Sequence, residues 1–365
     1  MNYLNLLGPT ASLSEQKLLT AEAGNMEVAN IQEALKQHIE QKHAHLQYDL
    51  ESLTKLQQEE AEAFKVLKKR GLTLDIDVFV REMNTVIDSY LQQGKTTEAH
   101  QQSMRRDKIQ QLHPKTEVIH PTFSTHGSRT GRITVSKPAL QNWKSTVRTA
   151  LLPSVEGYDY VYSLDCKAYD PTVLAVLSKD ENLRTDLRAE DFYMELLQQI
   201  GHEGTDENYR SAFKRLFLAC FINGGDVVHH LQQSALSLTR AQWQKIENRY
   251  EVALKYRNNI EQTGLAYSLN GITYLFKSDD TAKFSKFIQH EAAYIFRHIF
   301  INVFKQEKAL NMLILLPVHD EVLVAMKDTE SIGKICEMMM NTFQRMTGQS
   351  TLKIKTGAVR GGHNE

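Results

Sequence analysis

Little in the sequence marks it as a secreted, membrane-bound or metal-finger protein. Cysteine is scarce, and Cys166, Cys220 and Cys336 stand in no CxxC or CxH arrangement. That excludes a disulfide framework and a zinc site built on cysteine pairs. Long apolar runs are missing as well: the longest, Met312 to Val318, falls far short of the roughly 18 residues of a membrane span. Met1 to Gln16 is too polar for a secretory h-region, so a cytoplasmic location and no membrane partner are expected. There is no internal repeat and no low-complexity stretch. With 41% apolar and 24% charged residues over 365 positions, the chain reads as a soluble globular protein of two or three subdomains.

The net charge of -1 conceals an asymmetry. Residues 1–60 carry 4 Lys/Arg against 9 Asp/Glu, whereas 61–150 carry 15 against 8, a net +7 that suits contact with a polyanion. No glycine falls between Gly24 and Gly71, and Ile31, Leu35, Ile39, Leu46, Leu50 and Leu53 recur at helical spacing. A long helix or a broken pair is expected there, with its acidic part, Ile31 to Glu60, capping the rest or docking a partner. A short extended piece, Leu72 to Asp77, leads to a helix over Val78–Leu91 closed by Gly94. Lys95 to Thr125, with Arg105, Arg106, Lys108, Lys115, Pro114 and Pro121, reads as a loop-rich basic segment.

Ser124 to Asn142 follows, rich in Gly and hydroxyl residues and charged at Arg129, Arg132 and Lys137; it fits either a solvated loop or a backbone that approaches phosphates. Val161–Leu164 reads as a short strand with Asp165 at its carboxyl end, leading to a helix over Pro171–Ser178. Tyr209–Ile222 is strongly helical and sets Arg210, Lys214 and Leu218 on one face. More helices run to Gln262. Asn270-Gly271 predicts a hairpin between Ala266–Leu269 and Ile272–Phe276. Phe284–Phe304 predicts an amphipathic helix, and Thr351–Thr356 a last strand with Gly357–Glu365 fraying beyond it.

Two apolar runs, Leu313–Leu316 and Val322–Met326, flank Pro317-Val318-His319-Asp320-Glu321 and read as a buried hairpin with a polar tip. Asp and Glu favour turns for their own backbone bonding, so the tip fits an ordinary turn. It also fits a site where a divalent cation meets the carboxylates.

Taken in order, these pieces resemble the family A DNA polymerases, the bacterial polymerase I type. Thr130-Gly131-Arg132 followed by Pro138, Leu140, Gln141 and Asn142 is similar to the family's T-G-R and P-N-L-Q-N stretch. Leu164-Asp165 through Leu177 resembles motif A, Arg210 and Lys214 fit the R-x-x-x-K core of motif B, and Val318-His319-Asp320-Glu321 matches the motif C tetrapeptide. Ile288-Gln289 with Ala292-Ala293 resembles a palm-helix signature, and the resemblance spans about residues 46–357.

The resemblance implies an α+β right-hand polymerase fold with a palm antiparallel sheet, helical fingers and a shortened helical thumb. The implied plan is an N-terminal helical extension over 1–58, a reduced thumb over 59–125, palm over 126–178 and 278–365, and fingers over 179–277. It implies template-directed synthesis from dNTPs on a DNA primer-template, with two Mg²⁺ ions, or Mn²⁺, on Asp165 and Asp320. Catalytic roles fall to Asp165, Asp320, Lys214, Arg210, Glu321 and His319. Nucleotide contacts fall to Arg210, Lys214, Asp170, Leu218, Ile222 and Tyr193, and DNA contacts to Arg129, Thr130, Arg132, Gln141, Asn142, Gln289 and His319. The chemistry agrees: two carboxylates from separate strand ends can hold a metal pair, and two cations one helical turn apart can clamp a triphosphate.

The sequence departs from the family at the nucleotide side. Asp170 stands for a Glu, Thr172 for an Arg, and Leu218 and Ile222 for aromatics, so looser sugar selection is expected. Phe217 and Phe221 are each offset by one residue, about 100° around the helix, and are not expected to replace them. No exonuclease domain is expected ahead of the resemblance, hence no proofreading, and the short thumb suggests an accessory protein. A relaxed nucleotidyltransferase using NTPs, RNA templates or no template is the alternative, and a non-catalytic nucleic-acid-binding relative is another.

Overall fold

The computed structural model of the protein describes residues 50–125, 127–202, 206–234, 236–269, 273–277 and 279–360. Most of the expected acidic helix from Ile31 lies outside these residues. Its end forms α1 (Leu50–Arg70), which stops at Gly71 in the left-handed backbone, φ 70°, that glycine adopts without steric cost. The division drawn at residue 58 falls inside this helix. After β1 (Leu72–Leu74), α2 (Ile76–Gln92) starts at Asp75, whose carboxylate accepts from the Val78 amide, and buries Ile76, Phe79 and Met83 at helical spacing.

The loop expected over Lys95–Thr125 is mostly helix. α3 (Thr96–Leu112) packs on α2, yet buries only Ala99 and Ile109. Without an apolar stripe the hydrophobic pattern is silent, while Gln, Glu, Lys and Arg are good helix formers that sustain the helix until Pro114 approaches. The short strands β2 (Glu117–Ile119), β3 (Thr122–Ser124), β4 (Thr134–Ser136) and β5 (Leu151–Pro153) follow. They form a β2-β1-β5 sheet and a β3-β4 pair.

β6 (Tyr160–Cys166) leads to α4 (Tyr169–Ser178), α5 (Glu181–Asp186), α6 (Phe192–Gln199) and α7 (Glu207–Phe217). α7 runs into a π-helical turn, Leu218–Ile222, and then come α8 (Val227–Gln233), α9 (Arg240–Arg249) and α10 (Glu251–Thr263). β7 (Leu265–Tyr267) and β8 (Thr273–Leu275) pair antiparallel as the hairpin signal predicts, with Asn270 and Gly271 outside the described residues. The chain closes with α11 (Lys283–Lys305), β9 (Met312–Val318), β10 (Glu321–Met326), α12 (Ile332–Thr347) and β11 (Ile354–Arg360). β11 thus extends past Thr356 through residues expected to fray. α12 has no counterpart among the expectations, although Ile335, Met339, Thr342 and Phe343 form its buried face.

The main sheet is antiparallel throughout, in the order β11-β6-β10-β9. α11 lies across it, buried nearly all round, and packs on α1, α4, α10, α12 and β9. Two ion pairs fasten α1 to this core. Arg297 holds both oxygens of Glu60, with 3% and 2% of the two side chains exposed, and Arg70 holds both oxygens of Glu307 at 2.9 Å.

Glu291, on the same helix, is 1% exposed; its Oε2 accepts from the Leu269 amide at 3.0 Å, and its Oε1 has no partner. Burial pushes its pKa up to about 7. A carboxyl raised in the folded state binds its proton there more tightly than in the unfolded chain, so stability falls as pH rises from about 4.5 to about 7. Denaturant unfolding across that window is expected to show a loss of roughly 3 kcal/mol from this group. Glu291→Gln is expected to flatten the slope, whatever its effect on absolute stability.

Candidate active site

The candidate site is built on one row of the main sheet. Asp165 on β6 pairs with Glu321 on β10 and with Lys355 on β11, so the three side chains share a face. The tip between β9 and β10 consists of His319 and Asp320, with Val318 paired to Glu321. His319 takes a left-handed backbone, φ 57°, and the Asp320 carbonyl accepts from the Cys166 amide at 3.1 Å, which holds the tip against the end of β6. Just beyond, Ala168 is also left-handed, φ 46°, and the Lys167 amide donates to the Lys353 carbonyl at 2.9 Å. Such backbone costs on the order of 1–2 kcal/mol per non-glycine residue and persists where its surroundings pin it.

Acid crowds this edge. Burial, then Asp320, then Glu321 push Asp165 up to about 7, against Lys214 and Lys355, which pull it down. Asp320 is also raised, chiefly by burial, with Arg132 among the groups opposing. Glu321 is bound on both oxygens: Arg148 donates from Nη1 to Oε2 at 2.7 Å, and Ser163 from Oγ to Oε1 at 2.6 Å. Asp165 and Asp320 form no ion pair among the described residues, and cations act on them only at longer range. Among the described residues no group of three or more His, Cys, Asp or Glu is arranged to hold a metal; a two-carboxylate site suits magnesium, which keeps water and substrate oxygens as its other ligands.

Across a cavity of about 590 Å³ stands α7 with the predicted cations. Arg210 is held by Asp191, the N-cap of α6, and donates from Nη1 to Glu207 at 3.2 Å. Lys214 is exposed and has no carboxylate partner among the described residues. Both cations lie over the ring of buried Tyr193, 5.9 Å from its centroid. Burial pushes Asp170 up to about 6 against Arg132, whose Nη2 lies 3.8 Å from Oδ1. His319 is exposed and held below the usual imidazole range, first by burial and then by Arg132.

Other predicted residues fall out differently. The π-helical turn breaks the α-helical face at Leu218, which is half-buried; Ile222 is 1% exposed and offers no surface to a base. Phe217 and Phe221 stack on each other inside the core, centroids 4.8 Å apart, and do not take its place. Gln141 is spent on backbone: Nε2 donates to the Ile133 and Pro317 carbonyls at 2.9 and 2.8 Å, and Oε1 accepts from the Val135 amide at 3.0 Å. It braces the Thr130–Asn142 stretch to the hairpin, with both Nε2 protons engaged by backbone carbonyls. Gln289 donates to Ser285 at 3.1 Å, while Arg129 and Asn142 are exposed and Thr130 is half-buried.

The sequence reading missed Arg148, Ser163, Asp191 and Lys355. A signal existed for two of them: in a strand, Ser163 and Lys355 share a face with Asp165 once β6 and β11 are placed side by side.

An antiparallel sheet with acids at one edge, facing a helix that carries two cations, makes an α+β fold, and its likeness to a solved structure shows it to be the right-hand polymerase fold. A solved structure, the POL domain of Pol1 from M. smegmatis in complex with DNA primer-template and dNTP, is similar over 98% of this chain and 80% of its own, with a TM-score of 0.72 and 16% identity. The family model of DNA polymerase family A matches residues 19–262, and the chain belongs to that family. Thermostable DNA polymerase I of Thermus aquaticus is 27% identical over 305 residues, 74% of this chain and 36% of that relative. DNA polymerase I of Borreliella burgdorferi is 24% identical over 327 residues, 80% of this chain and 35% of the relative. The chain thus spans about a third of the length of these relatives. The family match contains Asp165, Arg210 and Lys214 but ends before Asp320, which the fold alone brings to them.

If Gln141 is a brace, Gln141→Ala leaves three backbone groups unpaired. Denaturant unfolding is expected to show a loss of about 2–4 kcal/mol, at roughly 1 kcal/mol or more per bond. A surface nucleic-acid contact would move stability by less than about 0.5 kcal/mol.

Proposed function

We propose that the chain is a template-directed DNA polymerase that transfers a nucleotidyl group from a dNTP to a primer 3′-hydroxyl. The observation that carries this is the meeting of Asp165, on β6, and Asp320, at the β9–β10 tip, on one acid-crowded edge with Lys214 nearby. The donor set fits two magnesium ions held by these carboxylates. When bound, the ions supply Lewis acidity to the attacking hydroxyl and to the triphosphate oxygens.

The protein's own residues do the rest. Lys214 offers charge and a proton to the leaving pyrophosphate. Arg210, oriented by Asp191 and by the Tyr193 ring, holds the triphosphate. Arg148 and Ser163 fix Glu321, so that it shapes the edge beside Asp165 without swinging into it. His319, at the tip, faces the primer terminus. Both Asp165→Asn and Asp320→Asn are expected to lower primer extension with Mg²⁺ by at least about a thousandfold, with circular dichroism unchanged. Undiminished extension in both variants would sink the proposal.

A specific feature adds that sugar selection is relaxed. Asp170 is one methylene shorter than the family's Glu, and its Oδ1 lies 3.8 Å from Nη2 of Arg132. One methylene in a pocket is worth roughly 10–200-fold in discrimination. Asp170→Glu is expected to raise the dNTP-over-NTP preference by at least about tenfold on that scale, measured as the ratio of kcat/KM values.

A further inference from the structure

The cavity beside Asp165 has a second basic wall, facing α7, that none of these steps uses. Lys167, on the turn after β6, donates from Nζ to the Glu190 carbonyl at 3.3 Å. Lys353, just before β11, donates from Nζ to the Arg188 carbonyl and to the Ala189 carbonyl, the latter at 2.7 Å. Carbonyls orient these ammoniums without neutralising them, and neither lysine meets a carboxylate among the described residues.

Lys355, in register with Asp165, is exposed in the same cavity and likewise has no ion pair among the described residues. Thr351 lines the wall too; it is 4% exposed and its hydroxyl has no hydrogen-bond partner. Because Arg210 is matched by Asp191 and Glu207, the unmatched charge comes from the lysines. Lys167, Lys214, Lys353 and Lys355 stand against Asp165 and Glu190 around the cavity.

We propose that Lys167, Lys353 and Lys355, with Thr351, form a polyphosphate-binding wall that receives the departing inorganic pyrophosphate opposite α7. The inference rests on the polymerase reading of the same site. A highly charged, multi-oxygen anion suits a clamp of ammoniums from two sides, and lysine binds phosphate as a mobile point charge. Lys167 and Lys353 can exchange a neutral carbonyl for a phosphate oxygen without breaking an ion pair. Lys355 sits closest in register to the acid that would anchor the reacting centre.

The test is isothermal titration of the full chain with inorganic pyrophosphate, in magnesium chloride and in EDTA, alongside primer extension with pyrophosphate as product inhibitor. Lys355→Gln and Lys167→Gln are each expected to weaken pyrophosphate binding about tenfold or more, the scale of a hydrogen bond to a charged group. Each is expected to raise the inhibition constant in parallel and to shift the KM for dNTP less. Lys308→Gln, an exposed charge outside the cavity, is expected to leave both unchanged.

Wild-type affinity in both wall variants overturns the proposal, as does binding that appears only with magnesium and ignores the substitutions. The polymerase reading fails separately. If wild-type protein extends no primer yet loses pyrophosphate affinity in Lys355→Gln and Lys167→Gln, the wall stands and the polymerase assignment falls.

Discussion

Like-charge crowding at one edge of the main sheet governs the rest of the site. Asp165, Asp320 and Glu321 converge there; burial raises Asp165 and Asp320, and the charges of Asp320 and Glu321 make Asp165 harder still to ionise. The fold meets this unequally. Glu321 is satisfied on both oxygens by Arg148 and Ser163, and Asp170 is answered at longer range by Arg132. Asp165 and Asp320 are left with a deficit of positive charge that a divalent ion would fill.

The edge could not exist without backbone geometry that the sheet enforces. The Asp320 carbonyl is pinned by the Cys166 amide, and the left-handed residues His319 and Ala168 turn the chain on either side of the acids. Opposite them, Arg210 is oriented through a helix cap rather than left to solvent, because Asp191 both starts α6 and holds the guanidinium. The cavity between these two supports is therefore lined by side chains that are placed before any ligand arrives, which lowers the ordering cost of binding.

What could be read in the sequence follows physical lines. The buried hairpin, the strand ending near Asp165, α7 and α11 all announce themselves by apolar periodicity, and the two acids and two cations fall where that pattern puts them. α3 does not, because its polar residues form a helix with almost nothing to bury. Gln141 looks like a surface amide in one dimension and proves a brace, since its partners Ile133, Val135 and Pro317 meet only in the fold. Ile222 stands one turn along a pattern that the π-helical turn interrupts, and sequence spacing cannot show that interruption. Lys355 and Ser163 required knowing which strands flank β6.

The ion pairs that fasten α1 have a consequence for how the protein is made. Glu60 and Arg297, like Arg70 and Glu307, lie 237 residues apart in the chain. At about 5–20 residues per second, a ribosome releases α1 roughly 10–50 s before its partners on and beyond α11 exist. During that interval Glu60 has no Arg297 to close on, and of the partners of the apolar face only those made earlier, such as Phe123 on β3, are present. The first helix among the described residues is thus among the last to lock its ion pairs, and nascent chains that stall before α11 would leave part of its apolar face open to chaperones or to one another.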